Sequence, residues 1–275
     1  MTTHDHTMTA PLIDNPWRLL RRHTPARIGL GRAGISQPTS SQLAFQLAHA
    51  QARDAVHRAL DHEGLAAALQ SQGLTTLDLH SAASDRAEYL QRPDLGRQLD
   101  ARSTDLLRGL SDESRVDDAP ELALIVADGL SALAVERHAP ALIAELRGVL
   151  PAEWRWAPVA IVRQARVAIG DPIGEALGAR LAVVLIGERP GLSSPDSLGI
   201  YLTWDPRRGR VDAERNCISN VRPEGLSPAL AARRLAWLMT QARTRGLTGV
   251  ALKDESGAES PVIDTAETFR LQREP

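Results

Sequence analysis

Cysteine and lysine are almost missing from this chain of 275 residues, which has one of each, Cys217 and Lys253. A single thiol cannot close an internal disulfide, so nothing argues for an oxidising compartment. No stretch approaches the roughly 18 apolar residues of a membrane span. The first fifteen residues have neither the basic start nor the apolar centre of a secretory signal. The expectation is a cytoplasmic protein. A net charge of -2 and a pI near 6.5 leave no excess to attract DNA or anionic lipid, so neither nucleic acid nor membrane is expected as a partner. Nearly all of the 32 basic residues are arginine, the residue better suited to bidentate and interfacial contacts.

The catalytic vocabulary is also thin. All eight histidines lie at or before His138, and Ser193, Ser194 and Ser197 have no glycine elbow around them. Cys217 has no neighbouring base and reads as a buried packing residue. His4 and His6, and His49, His57 and His62, lack the further ligands of a metal set. No metal site and no catalytic residue is expected. Asp128 and Glu188, at the ends of two apolar runs, are candidates for an acid pair, but a carboxylate there also suits a binding loop that accepts amide protons.

What is present is an ordered series of helices and strands. Residues 1–39 read as an extension and an arginine-bearing arm. Ser40 or Ser41 opens a helix with Leu43, Phe45, Leu47, Ala50, Val56 and Leu60 on its apolar face and Gly64 as its stop. Leu65 to Gln70 and the segment after Ser84 are further helical pieces, broken at Pro93, which makes 40–115 a helical region. From residue 116 the pattern becomes strand then helix. Leu122 to Ala127, Pro158 to Val162, Leu181 to Ile186, Ile200 to Trp204 and Val250 to Leu252 are strand candidates. Helices begin at Ser131, with Pro140 interrupting, at Asp171-Pro172 and at Ser227-Pro228. The expected fold is α/β, a Rossmann-like, doubly wound, mostly parallel sheet at 116–275, ending in a polar tail and preceded by a helical N-terminal region. Such a sheet places its ligand at the carboxyl ends of its strands, here the loops between Leu181 and Gly225.

Two motif matches need weighing. Gly29, Gly31 and Gly34 form a literal G-x-G-x-x-G, but Pro25 and Pro38 flank it and no strand precedes it, against a dinucleotide site. A free-standing nucleotide-dependent oxidoreductase is the alternative reading that those glycines leave. Asp78-Leu79-His80 approaches the D-x-H-x-x-G signature of an axial cobalamin histidine, but its glycine is absent.

The segments TPARIGLGRAG, LAFQLAHAQARDAVH, YLQRPDLGRQLD, VADGLSALAV, VVLIGERPGLSSPDSLGIYLTW and ERNCISNVRPEGL closely resemble the small (light) subunit of ethanolamine ammonia-lyase, in order from Pro16 to Lys253. The resemblance implies a hetero-oligomer with a large TIM-barrel subunit, which holds ethanolamine and most radical-handling groups. It also implies adenosylcobalamin between the subunits, with its own base on cobalt. The reaction implied converts ethanolamine to acetaldehyde and ammonia through an adenosyl radical. Matching motifs put this subunit's cobalamin contacts at Val167 in ARVAIG, Glu188 in IGERPG and Cys217 in NCISN. Glu188 would accept corrin amide protons, while Val167 and the small thiol pack on apolar edges. Related lyases also associate with bacterial microcompartments, the second location this resemblance suggests.

Overall fold

The computed structural model describes residues 12–113 and 119–257. His4, His6 and the polar tail beyond residue 257 lie outside the described residues. The arm folds on itself: β1 (Leu12–Ile13) pairs antiparallel with β2 (Arg32–Ala33), and a 3-10 turn spans Pro16–Arg22 between them. Two helices follow, α1 (Thr39–His57) and α2 (His62–Ser71), so Gly64 lies inside the second and does not stop the first.

The face that α1 buries differs from the one expected. Ala48, Ala52 and Ala55 turn inward, while Leu43, Phe45 and Leu47 are 59%, 40% and 61% exposed. At about 100° per residue, Leu43 and Leu47 share one side of the helix, roughly 130° round from the inward alanines, and Phe45 falls outside that side. The small side chains let the helix lie close to the body, which leaves its bulky face outward.

The expected helical region contains a strand. β3 (Thr76–His80) precedes α3 (Arg86–Gln91) and α4 (Ala101–Glu113), and it pairs in parallel with a strand from the later half. The sheet therefore draws on both 40–115 and 116–275. Asp78-Leu79-His80 lies on this edge strand, with Asp78 bridged to Arg163 at 3.1 Å. An edge strand paired on one side needs no long apolar run, which is why TLDLH gives a weak strand signal.

The remaining order is β4 (Leu122–Ala127), α5 (Ala132–Val149), β5 (Val159–Arg163), α6 (Gly170–Ala176), β6 (Leu181–Gly187), β7 (Leu198–Trp204), β8 (Arg215–Val221) and α7 (Pro228–Arg245). The sheet runs β3-β5-β4-β6-β7-β8, with the first four strands parallel and β7 and β8 added antiparallel. It is a mixed α/β architecture whose six-stranded sheet is mostly parallel. Alternate residues of the central strands enter two cores. Leu122, Leu124 and Val126 meet Leu142 of α5 and Leu235 of α7, whereas Ala123, Ile125 and Ala127 meet Leu107 of α4 and Ile173 of α6. Helices thus cover both faces, and the run LALIVA is buried throughout.

Local signals explain several boundaries. Ser131 accepts from Ala134 N at 3.3 Å, and Ser227 accepts from Leu230 N at 3.4 Å with Pro228 at the first turn. Gly246 ends α7 in the left-handed conformation, φ 68°. Three expectations fail. Pro140 sits within α5 without ending it, because Ala139, Leu142 and Ile143 beside it are fully buried and hold the helix on the sheet. Asp171 does not cap α6 but lies in its first turn, bridged to Arg215. Val250 to Leu252 is no strand: Gly249, at φ 82°, starts a 3-10 turn at Gly249–Ala251 and leaves Val250 exposed.

Candidate functional site

The ends of β4, β5 and β6 converge on a cleft of about 270 Å³, lined by Tyr89, Gly129, Leu130, Arg166, Val167, Ile186, Gly187, Glu188, Arg189 and Tyr201. This is the carboxyl edge of the parallel strands, where open α/β sheets bind ligands. A larger groove of about 560 Å³, with Arg147, Trp154 and Trp156 on its walls, lies at the opposite edge near Thr75 and Pro158. The smaller cleft is the better candidate because three strand ends, a carboxylate and two arginines meet there.

Close backbone packing shapes its floor. A Cβ on Gly129 would collide with Gly187 O and Ile186 Cγ1, and Gly129 itself has φ 56°. Leu130 N donates to Gly187 O at 2.9 Å, which locks the first turn of one βα loop to the end of β6. From there Glu188 begins the loop 188–197. Glu188 N donates to Ser197 O at 2.9 Å, Ser197 Oγ donates to Glu188 Oε2 at 2.5 Å, and Asn220 N donates to the same oxygen at 3.2 Å. Those bonds engage Oε2, leaving Oε1 without a protein hydrogen bond among the described residues. Asp196 anchors the loop from behind through Arg137 at 3.0 Å, His138 at 3.3 Å and Arg222 at 3.5 Å. Burial opposes its charge, but Arg137 and His138 outweigh that effect and hold its carboxyl below the usual value.

Val167 and Glu188 therefore line one cleft. Val167 reaches it from the 3-10 turn Val167–Ile169 after β5. Cys217 does not line it. The residue lies on β8, in register with the cleft residue Tyr201, and its Sγ is 3.3 Å from Ser219 Oγ. It is exposed, contrary to the packing role expected, because β8 is an edge strand with one open face. Burial, then the adjoining thiol, raises the Tyr201 phenol above its ordinary value.

Asp128 and Glu188 form no acid pair. Asp128 is buried and accepts from Gln164 N at 2.9 Å and Ala165 N at 3.0 Å, with Arg86 Nη1 at 3.5 Å. Burial pushes its carboxyl up, against the pull of those donors. Gln164 has φ 55°, an unfavourable left-handed conformation for a side-chain-bearing residue. Asp128 thus stabilises the turn that aims Arg166 and Val167 at the cleft. Gly29, Gly31 and Gly34 do not form a phosphate loop. A Cβ on Gly29 would approach Arg18 N to 2.8 Å, one on Gly31 would strike Ile13 O, and Arg21 donates to the carbonyls of Ile28 and Gly29 at 2.7 Å. Their role is to let the arm fold tightly.

Sequence patterns missed Arg166, Tyr89, Ser197 and Tyr201 as cleft or loop-holding residues. Arg166 is adjacent to Val167, and Ser197 lies nine residues after Glu188, but only the fold brings Tyr89 to them.

The chain matches the family profile described as Ethanolamine ammonia-lyase light chain (EutC) over residues 14–253. It is 58% identical over 267 residues to the ethanolamine ammonia-lyase small subunit of Ralstonia nicotianae, covering 96% of this chain and 97% of that protein. It is 59% identical over 248 residues to the protein of that name from Azotobacter vinelandii, covering 90% and 91%. The match spans the arm from residue 14, the sheet and every strand end at the cleft, and the chain belongs to the ethanolamine ammonia-lyase light chain family.

Proposed function

We propose that this chain is the small subunit of an adenosylcobalamin-dependent ethanolamine ammonia-lyase, and that its cleft forms one wall of a cofactor site completed by a large subunit. The observation that carries this reading is the meeting of Val167 and Glu188 at the carboxyl edge of a sheet in a chain of this family. In this reading the architecture is a Rossmann-like doubly wound sheet, with the arm and α1 as its docking region. The residues suit the periphery of a corrin. Glu188 offers Oε1 to amide N–H groups, Val167 and Leu130 supply apolar contact, and Cys217 lies beside Tyr201 as an outer contact. A cleft of about 270 Å³ takes only an edge of so large a ligand, which fits a shared site.

When bound, the cofactor supplies radical chemistry through homolysis of its cobalt–carbon bond. This chain's residues bind and orient it, and substrate handling belongs to the partner. His80 is held against Ser81 O at 2.7 Å and is not among the cleft residues, so this chain would hold the cofactor without it.

The arm and α1 fit the docking role. Most large apolar side chains left exposed among the described residues fall between Leu12 and Leu47, including Trp17, Leu19, Ile35 and Phe45. The test mixes this chain with the large subunit and measures ammonia released from ethanolamine. Release is expected only with both proteins and adenosylcobalamin. Turnover by either subunit alone would overturn the reading. A cytoplasmic enzyme, within or outside a microcompartment, completes the proposal; no described helix is long and apolar enough to cross a membrane.

A further inference from the structure

We propose that Arg166 is a further cofactor-contacting residue, whose guanidinium donates from the cleft wall to an oxygen acceptor on the cobalamin periphery. The inference rests on the cofactor reading above and adds a donor to the Glu188 acceptor.

Arg166 is held in place more firmly than a surface arginine. Its backbone N donates to Gly96 O at 2.7 Å, its guanidinium carbon stacks 4.2 Å from the Tyr89 ring centre, and Nη2 donates to Tyr89 O at 3.3 Å. Gly96 makes room for the stem, since a Cβ there would come within 2.9 Å of Arg166 Cγ. Tyr89 is itself fixed by its hydroxyl, which donates to Ala165 O at 3.0 Å. A planar cation fixed in this way loses little freedom when it meets a ligand.

The charge is nevertheless unpaired. Arg86 also stacks on Tyr89, at 4.7 Å, but has Asp128 beside it at 3.5 Å. No carboxylate bridges Arg166 among the described residues, and its enclosed Nε–H has no hydrogen-bond partner. A guanidinium has five N–H donors, and among the described residues Nη2 is the only guanidinium nitrogen of Arg166 bonded to protein. An anchored cation on the wall of an open cleft, with most of its donors free, is suited to an oxygen acceptor. Glu188 in the same cleft suits an N–H donor. Together they match a primary carboxamide, which presents both. Cobalamin carries such acceptors in its peripheral carboxamides and in the phosphodiester of its nucleotide loop.

The experiment measures binding of cyanocobalamin, and of cobinamide, which lacks the nucleotide loop, to the assembled two-subunit complex. It compares native chain, Arg166→Met, Arg166→Lys and Glu188→Gln by equilibrium ultrafiltration, with assembly checked by gel filtration. Methionine keeps an unbranched stem against Gly96 and Tyr89 but removes the donors. Arg166→Met is expected to weaken cyanocobalamin binding about tenfold, or ~1.4 kcal/mol, and Arg166→Lys less. An equal loss for cobinamide assigns the acceptor to a carboxamide, and a loss confined to cyanocobalamin assigns it to the phosphodiester. Native affinity of Arg166→Met for both probes overturns the proposal. If Glu188→Gln weakens binding while Arg166→Met does not, only the Arg166 inference fails. If the native complex binds neither probe, the cofactor reading fails with it. Should Arg166→Met not assemble, Arg166→Gln is judged on the same terms.

Discussion

Glu188 lies across the open face of Gly199: a Cβ on Gly199 would come within 3.1 Å of both Glu188 Cγ and Oε1, and 3.3 Å of Tyr201 Cε2. The missing side chain on β7 is what lets the carboxylate rest over the strand and accept from Ser197 and Asn220. Gly199→Ala should therefore fold, because the group that must yield is the end of a flexible side chain. It should also displace the carboxylate. We expect an unfolding midpoint close to native and cobalamin binding by the assembled complex weakened several-fold. Unchanged affinity would show that the position of Glu188 is unimportant.

The sequence announced the parts of this arrangement that are buried on two sides. LALIVA and LAVVLIG are apolar throughout because helices cover both faces, and such runs need no context to be read. RNCISNV was unreadable as a strand because β8 is an edge strand that keeps alternate positions polar and exposed, Cys217 among them. Glu188 stands out as a carboxylate at the end of an apolar run, whereas Val167 is singled out only by the family resemblance and not by periodicity. The function of Asp128 was hidden for another reason. Its partners come from residues 86, 164 and 165, and a sequence shows the carboxylate without showing what binds it.

Asp171 and Arg215 form the most enclosed ion pair near the antiparallel strands, bonded twice at 2.6 and 2.7 Å with side chains only 4% and 2% exposed. Arg215 also donates to Thr203 Oγ1 at 2.9 Å, which ties α6 to β7 and β8. Removing one partner strands a buried charge, so Asp171→Ala should lower stability by about 3–5 kcal/mol. The double change Asp171→Leu with Arg215→Met should recover much of that loss. Urea unfolding of the native chain and the two variants measures both effects.

The charge cluster behind the Glu188 loop predicts a pH response. The carboxyl of Asp196 is held below its ordinary value of 3.8. Its contribution is therefore complete above that value and is lost as pH falls through the lower folded-state value. His138, Arg137 and Arg222 are the groups facing it. Asp196→Asn should be less stable than native at pH 6, and the difference should shrink as pH drops below about 4. Thermal unfolding midpoints across that range decide it, and a constant difference would mean that Asp196 acts through packing alone.

The outward face of α1 gives a prediction that separates folding from assembly. Leu43 and Leu47 are one turn apart and more than half exposed, so the isolated chain gains little by keeping them apolar. The inward alanines, with Ala55 only 3% exposed, carry the packing of this helix on the body. Charge placed outside should therefore leave the chain folded and disturb only what covers that face. Leu43→Asp with Leu47→Asp is expected to keep a native unfolding midpoint within about 0.5 kcal/mol, yet to lose co-elution with the large subunit in gel filtration. Ala52→Leu should do the reverse damage first, forcing α1 away from α5 and lowering stability by about 1–3 kcal/mol. If the double aspartate variant still assembles normally, the large subunit docks elsewhere and the exposed leucines need another occupant.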